Sequence, residues 1–268
     1  MTTRTLIPLL LTLPLLGACT TLGPMPSMTM NSPIPSKRAT FEMTGGLAPG
    51  FFLSQAAQST SDGTAMAQSS VLLDIGKWTE LEGLHIGGRL VDGGSGPLLG
   101  EPMIGYRMHL DEGERFSLGL TAFGSHSEGA ADGASHEAIR FGLEAVVDAR
   151  LTPPFPWIEL HAQMGLSATG VLATGSYCVN DSGWGITCGE RESSNQRVSG
   201  ELQGLQPAAF TGITLDLFQG FPMFFHGIRA GVFYAAGSMP TLRHGKQSED
   251  HLWHMFGAQL SVAVGGRE

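Results

Sequence analysis

The chain has 268 residues, few charged side chains and much glycine. Charged residues make up 15% of it, against about 25% in ordinary soluble domains, and glycine is about twice as frequent as usual. This composition excludes a coiled coil and a typical disordered chain. The net charge of −9 argues against a nucleic-acid partner, because a phosphate-binding surface needs clustered Lys and Arg.

Residues 1–18 have the pattern of a signal peptide, with a basic start at Arg4 and an apolar run over 6–16. The run is too short for a transmembrane helix, which needs about 20 residues. It ends in Leu16-Gly17-Ala18-Cys19, which resembles the lipobox of bacterial lipoproteins. The resemblance implies cleavage before Cys19 and lipid attachment to it. Thr20 stands where Asp would imply inner-membrane retention, so the outer membrane is implied. An ordinary signal peptide with a chance cysteine is the alternative.

Residues 19–38 are rich in Pro, Met, Ser and Thr and show no periodicity, which predicts a flexible, lipidated tether. Residues 39–268 instead repeat short alternating apolar and polar stretches, separated by clusters of Gly, Pro, Asp and Ser. This pattern is typical of strands, and we predict one all-β domain. About ten strands are predicted, with eight as the alternative, near 39–48, 66–77, 83–92, 101–110, 114–124, 136–150, 156–171, 206–217, 223–236 and 251–265.

The predicted connections alternate in length along the chain. Short ones fall at 78–82, 111–113, 151–155 and 218–222, and long ones at 49–65, 93–100, 125–135, 172–205 and 237–250. Outer-membrane barrels have short periplasmic turns and longer external loops. We therefore predict an antiparallel up-and-down transmembrane β-barrel with both termini on the periplasmic side, where a lipid on Cys19 would lie.

Charged and apolar side chains fall on opposite faces of the predicted strands. The apolar face is expected to meet lipid, where an Arg or Lys at the midplane would cost about 2–4 kcal/mol. Four apolar residues, Phe123, Val146, Phe225 and Phe233, fall on the charged face, and a bulge or a boundary error would move them. The residues predicted to line the lumen are Asp74, His85, Arg89, Arg107, His109, Arg140, Glu144, Asp148, Glu159, His161, Asp216 and Arg229.

Alternation alone does not fix which face points inward, because a soluble barrel would fill its centre with the apolar face. The connection lengths favour a lipid-facing apolar side, and so do aromatic residues near both strand ends, which resemble the girdles of membrane barrels. These are Trp78, Phe155, Trp157, Phe218, Phe221, Phe224, Tyr234 and Trp253.

The segment from Met255 to Val262, within the last predicted strand, resembles the C-terminal assembly signal of outer-membrane barrels. The resemblance implies the barrel assembly machinery as a partner, together with outer-membrane lipid. Met255 departs from the family pattern, which has a polar residue there, and the chain ends in Glu268 rather than in an aromatic residue.

The predicted lumen has two interpretations. Charges confined in a low-dielectric space need partners, which favours a plug of ion pairs that closes a narrow barrel. A polar path for a small solute is the alternative. No cofactor is expected.

The predicted rim carries groups that suit acid–base chemistry: Ser125, His126, Ser127, Glu128, Asp132, His136, Glu137, His244, Asp250, His251 and His254. Ten-stranded outer-membrane proteases place Asp and His at this rim, but no motif of theirs matches, and we assign no catalytic residue. A metal site from His244, His251 and His254 is not expected, because a strand places His251 and His254 on opposite faces.

The longest predicted loop, 172–205, holds Cys178 and Cys188, which we expect to form a disulfide in an exported protein, with free thiols as the alternative. It would be a rigid external knob for a partner. We expect a non-enzymatic outer-membrane barrel lipoprotein that is structural, interacts at the surface, or forms a weak small-solute pore. The alternatives are a lipid-anchored periplasmic soluble barrel that binds an apolar ligand, and an outer-membrane hydrolase or lipid-modifying enzyme with a rim site.

Overall fold

The computed structural model describes residues 20–22, 40–53, 66–92, 99–131, 134–153, 158–179, 196–217, 225–243 and 246–265. These residues form strands and one single-turn helix, α1, at Gly76–Thr79. The strands are β1 (Thr20–Leu22), β2 (Thr40–Leu53), β3 (Met66–Asp74), β4 (Leu84–Asp92), β5 (Leu99–His109), β6 (Phe116–Ala131), β7 (Ala134–Arg150), β8 (Ile158–Val179), β9 (Gln196–Leu217), β10 (Phe225–Arg243) and β11 (Lys246–Gly265).

The ten long strands among the described residues form a closed antiparallel ring. Each pairs with its neighbour in sequence, from β2–β3 through to β10–β11. The last of these ten strands, β11, then pairs with the first of them, β2, from Trp253 opposite Leu53 to Gly265 opposite Thr40. The predicted all-β, up-and-down architecture is therefore confirmed. In the part of the chain described, no helix has the length and apolar character needed to cross a membrane.

Several strands continue well beyond their predicted ends on the long-loop side. The pairing of β6 with β7 extends to Ala131 opposite Ala134, that of β8 with β9 to Val179 opposite Gln196, and that of β10 with β11 to Arg243 opposite Lys246. Within the predicted loops 125–135, 172–205 and 237–250, the residues that the structure describes are thus paired strands. Their Gly, Ser and Thr residues lack the apolar alternation that marks a strand, but backbone pairing does not require it.

The short turn between β5 and β6 is organised by Asp111. Its carboxylate accepts hydrogen bonds from the backbone N–H groups of Phe116 (2.7 Å) and Arg115 (3.2 Å). The bond from Phe116 is the main reason that the pKa of Asp111 lies below its ordinary value. Glu114 takes a left-handed conformation with φ of 52°, which closes the turn.

The first described strand contradicts one prediction. Thr20–Leu22 pair with Thr241–Arg243, at the long-loop end of β10. Thr20, the residue after Cys19, therefore lies at the long-loop end of the barrel, whereas the anchor was predicted at the short-turn end. The physical reason is an unpaired edge: the pairing of β10 with β9 stops at Gly237 opposite Ala208, and β1 covers the backbone groups beyond it.

Three of the four apolar residues predicted on the charged face point inward. Phe123, Val146 and Phe233 are buried, and the β6–β7 and β9–β10 registers run without a shift, so no bulge moves them. Phe123 lies opposite Gly142, where an added Cβ would come within 2.3 Å of the ring. Glycine is needed there because the aromatic ring occupies the space of its side chain. The side chain of Phe225 lies outside the described residues.

Candidate functional site

The interior of the barrel is the candidate site. Eleven of the twelve predicted lumen residues are buried, and His109 is half-buried. Sequence reasoning missed Glu101, which is 1% exposed. Glu101 lies six residues before Arg107, and side chains an even number of positions apart on a strand point to the same face, so this spacing would have identified Glu101 as a lumen residue. Among the residues that the structure describes, the charged side chains on this face are thus buried in the interior of the ring.

Four residues form what we call the central cluster: Arg89, Glu101, Arg140 and Glu144. Arg89 Nε lies 2.7 Å from Glu101, and its Nη1 lies 2.8 Å from Glu144. Arg140 Nη1 lies 2.9 Å from the second oxygen of Glu101. The four groups thus form one chain of alternating charge, Glu144–Arg89–Glu101–Arg140, with two positive and two negative members.

Strand geometry brings the central cluster together. Arg89 and Glu101 are directly opposite each other on β4 and β5. Glu144 lies on β7, three strands from Arg89, and the two meet only because the sheet curves toward its charged face. Arg89 also lies above the ring of Phe123, 4.7 Å from its centroid, which adds a cation–π contact. The side chains of all four members are at most 1% exposed. The carboxylates and guanidinium groups therefore have one another, and not water, as their main partners.

A second group lies nearer the short-turn end, and we call it the short-turn cluster: Asp148, Glu159, His161, Asp216 and Arg229. His161 Nδ1 is 2.6 Å from Asp148, and its Nε2 is 3.3 Å from Glu159. Arg229 binds Asp216 with two parallel hydrogen bonds and lies 3.8 Å from Asp148. This bidentate geometry is the strong form of an Arg–carboxylate pair. The cluster joins β7, β8, β9 and β10.

The other predicted lumen residues make separate contacts. His85 Nε2 lies 3.5 Å from the hydroxyl of Thr121, and His109 Nδ1 lies 3.1 Å from that of Ser117. Asp74 accepts a hydrogen bond from the N–H of Gly76 at the start of α1. Arg107 is buried beneath the short turn before β4, where its backbone N–H donates to the carbonyl of Gly83.

Apolar side chains fill other levels of the interior. Trp253 and Met255 are 2% and 0% exposed, and Val171 and Ala235 are 1% exposed. Trp253 therefore belongs to the core, and its predicted place in an aromatic girdle is wrong. Its strand parity matches Gln259 and Ser261, which point inward too. An open aqueous channel would leave its lining residues accessible to water, whereas these residues are buried. The described interior is closed.

The outer face shows the opposite pattern. Large apolar side chains there are widely exposed: Leu143 66%, Leu166 66%, Met164 64%, Val232 63% and Phe141 60%. They alternate along each strand with the buried polar side chains. Soluble proteins bury such residues and expose charges, so this molecule is inverted relative to a soluble barrel.

The rim residues only partly converge. Ser125 points into the barrel and His126 points out, so these neighbours do not form a nucleophile–base pair. His126 lies instead beside Glu128 and Glu137. His254 is exposed and meets Tyr234 edge-on, with ring centroids 6.3 Å apart. The side chains of Ser127, Asp132, His136, His244, Asp250 and His251 lie outside the described residues.

The cysteine predictions fall largely outside the described residues. Cys19 and Cys188 lie outside them, and Cys178 is placed only by its backbone, opposite Arg197 near the end of β8. The lipid on Cys19 and the Cys178–Cys188 disulfide stay predictions.

No family model and no curated protein matches the chain. Among solved structures, it is similar to Neisserial surface protein A at 10% identity over 83% of this chain and 96% of that one, with a TM-score of 0.32. It is similar to Ail, the attachment invasion locus protein of Yersinia pestis, at 10% identity over 84% and 99%, with a TM-score of 0.31. The N-terminal β-barrel domain of Pseudomonas aeruginosa OprF gives 10% identity over 84% and 98%, with a TM-score of 0.28. At this level the likeness indicates nothing about activity.

Proposed function

We propose that this protein is an outer-membrane β-barrel whose lumen is closed and whose role is structural or in surface contact rather than catalytic. One observation carries the proposal: large apolar side chains are exposed on the outer face, while charged side chains are buried inside. A lipid bilayer is the solvent in which this inverted arrangement is favourable, because it covers the apolar face and leaves the charges to pair with one another.

The soluble alternative does not fit this arrangement. A periplasmic barrel for an apolar ligand needs an apolar cavity, and it would expose its charges to water. The described interior instead holds the central and short-turn clusters, and the outer face carries residues such as Leu143 and Leu166. In water that face would be a large exposed apolar patch, and such a patch would make the protein aggregate.

A closed lumen distinguishes this proposal from a pore. The chain refolded into a planar bilayer is expected to give no steady current above that of lipid alone, because the central cluster fills the barrel interior. Arg140→Ser with Glu101→Ser removes the two ion pairs that Glu101 makes, with Arg140 and with Arg89, and leaves Arg89 paired with Glu144. This double variant is expected to raise the leak. A heat-dependent gel shift should accompany insertion in both forms. Stepwise channels from the unaltered chain would contradict the closed lumen.

Lipid attachment at Cys19 is part of the proposal and rests on the lipobox. Since Thr20–Leu22 lie beside Thr241–Arg243, the anchor would lie at the long-loop end of the barrel. The mature N-terminal peptide is expected to carry acyl mass on Cys19. A mature chain that begins elsewhere, or begins with an unmodified cysteine, would contradict this part.

External contact is assigned to the β8–β9 hairpin. Each of its strands has 22 residues, whereas β3 and β4 have nine residues each. The β8–β9 pair therefore extends further on the long-loop side than the described β3–β4 pair does. A disulfide between Cys178 and Cys188 would stiffen its tip. Assembly would use the barrel assembly machinery through the last strand, in which Phe256 points outward and Met255 inward.

A further inference from the structure

The β6–β7 hairpin carries three groups that can bind a metal, outside the closed lumen. His126 and Glu128 are two residues apart on β6, and Glu137 is on β7. All three side chains are more than half exposed, at 51%, 71% and 54%. They share one face of the hairpin, on the long-loop side of the barrel.

Two of these groups are in an unfavourable position without a cation. Glu128 and Glu137 are directly opposite each other in the register. Like charges at a directly opposite cross-strand position are destabilising. Both contacts of His126 run through one ring nitrogen, Nε2, which carries at most one N–H, so the two carboxylates share a single donor.

The two distances from His126 are compatible with a metal ion shared by the three side chains. His126 Nε2 is 3.4 Å from one oxygen of Glu128 and 3.4 Å from one oxygen of Glu137, and the three ligand atoms all lie within 4.8 Å of one another. These contacts are longer than a good N–H···O bond of about 2.9 Å. Tetrahedral zinc with ligand bonds of about 2.0–2.2 Å separates its ligand atoms by roughly 3.4 Å.

We propose that His126, Glu128 and Glu137 form a binding site for one divalent transition-metal cation of the zinc class. An imidazole nitrogen favours such a cation over Ca²⁺ or Mg²⁺, which prefer oxygen ligands. The cation neutralises the facing carboxylates and ties β6 to β7 beyond the main wall of the barrel. The site faces solvent, so water completes its coordination. It does not depend on whether the lumen is closed.

The test is calorimetric titration of the tag-free, detergent-solubilised full chain with ZnCl₂ in excess Mg²⁺. The chain is expected to take up one equivalent at this site, and His126→Ala and Glu137→Gln should each weaken that uptake at least tenfold. His254→Ala is the matched control, because it removes an exposed histidine on another hairpin, and it should bind like the parent. Glu112→Gln controls for loss of an exposed carboxylate.

Each outcome decides the proposal. Lack of Zn²⁺ uptake by the parent chain overturns it, and so does equal uptake by the parent and the His126→Ala variant. The three positions are exposed, so the heat-dependent gel shift should be unchanged in every variant, which separates loss of metal from loss of fold. Calcium binding as tight as zinc binding would contradict the role of the imidazole.

Discussion

Replacing Arg89 by Met is expected to destabilise the barrel by about 3–5 kcal/mol, the cost typical of breaking a buried ion pair from one side. Arg89 bridges Glu101 and Glu144 in the middle of the interior. Without it, Glu101 keeps Arg140, but Glu144 loses its contact of 2.8 Å with the Arg89 guanidinium in a buried environment. The measurement is urea unfolding of the refolded chain in lipid vesicles, followed by tryptophan fluorescence.

Two further variants show whether the loss of stability comes from the buried carboxylate of Glu144. Arg89→Met combined with Glu144→Gln leaves the Glu101–Arg140 pair intact and removes the negative charge that faced Arg89, so it should recover more than half of the loss. Arg115→Met makes the same chemical change at an exposed turn and should stay within about 0.5 kcal/mol of the parent. An Arg89→Met variant as stable as the parent would mean that water reaches the central cluster.

Replacing Leu143 by Arg should destabilise the barrel in lipid vesicles by about 2–4 kcal/mol, as for a cation at the bilayer midplane. Leu143 is 66% exposed and lies well inside β7, seven positions from its end at Arg150. The matched control is Leu110→Arg, at the short turn after β5, where the side chain is 53% exposed and the arginine can reach the interface. There the cost should fall to about 0–1 kcal/mol.

The difference between the two leucines is the informative quantity. If the outer face met water, both arginines would be tolerated, since exposed surface substitutions usually change stability by less than about 0.5 kcal/mol. Equal unfolding free energies for the Leu143→Arg and Leu110→Arg variants would therefore contradict a lipid-facing wall.

Strand parity explains why so much of the interior could be predicted. Side chains on a strand alternate with a period of two, so Arg140, Glu144 and Asp148 on β7 had to share a face. Glu101 follows from the same rule but stands at a strand boundary, where sequence patterns are least informative. Phe123 and Val146 point inward as the strand alternation requires, although they are apolar and their neighbours on that face are charged. A narrow interior also needs apolar side chains to fill the space between its ion pairs.

Other features depend on three-dimensional packing that a pattern does not encode. Arg89 meets Glu144 three strands away because of sheet curvature and side-chain reach, so the sequence predicts charges but not their partners. The long hairpins were predicted as loops because their small polar residues resemble loop composition. The pairing of β1 with β10 is possible because the pairing of β9 with β10 ends at Gly237 and leaves the end of β10 available. Where that pairing ends is a property of the assembled sheet.

The central claim is that the outer, apolar face of this barrel meets lipid. It is tested most directly with a nitroxide on Leu143→Cys, in a chain whose three native cysteines are replaced by serine, after refolding into vesicles. A second nitroxide on Glu112→Cys, at the exposed β5–β6 turn, reports the aqueous side. We predict that the label at 143 collides more with oxygen, which concentrates in lipid, and that the label at 112 collides more with a water-soluble nickel chelate. A label at 143 that meets the nickel chelate as freely as the label at 112 would contradict the claim.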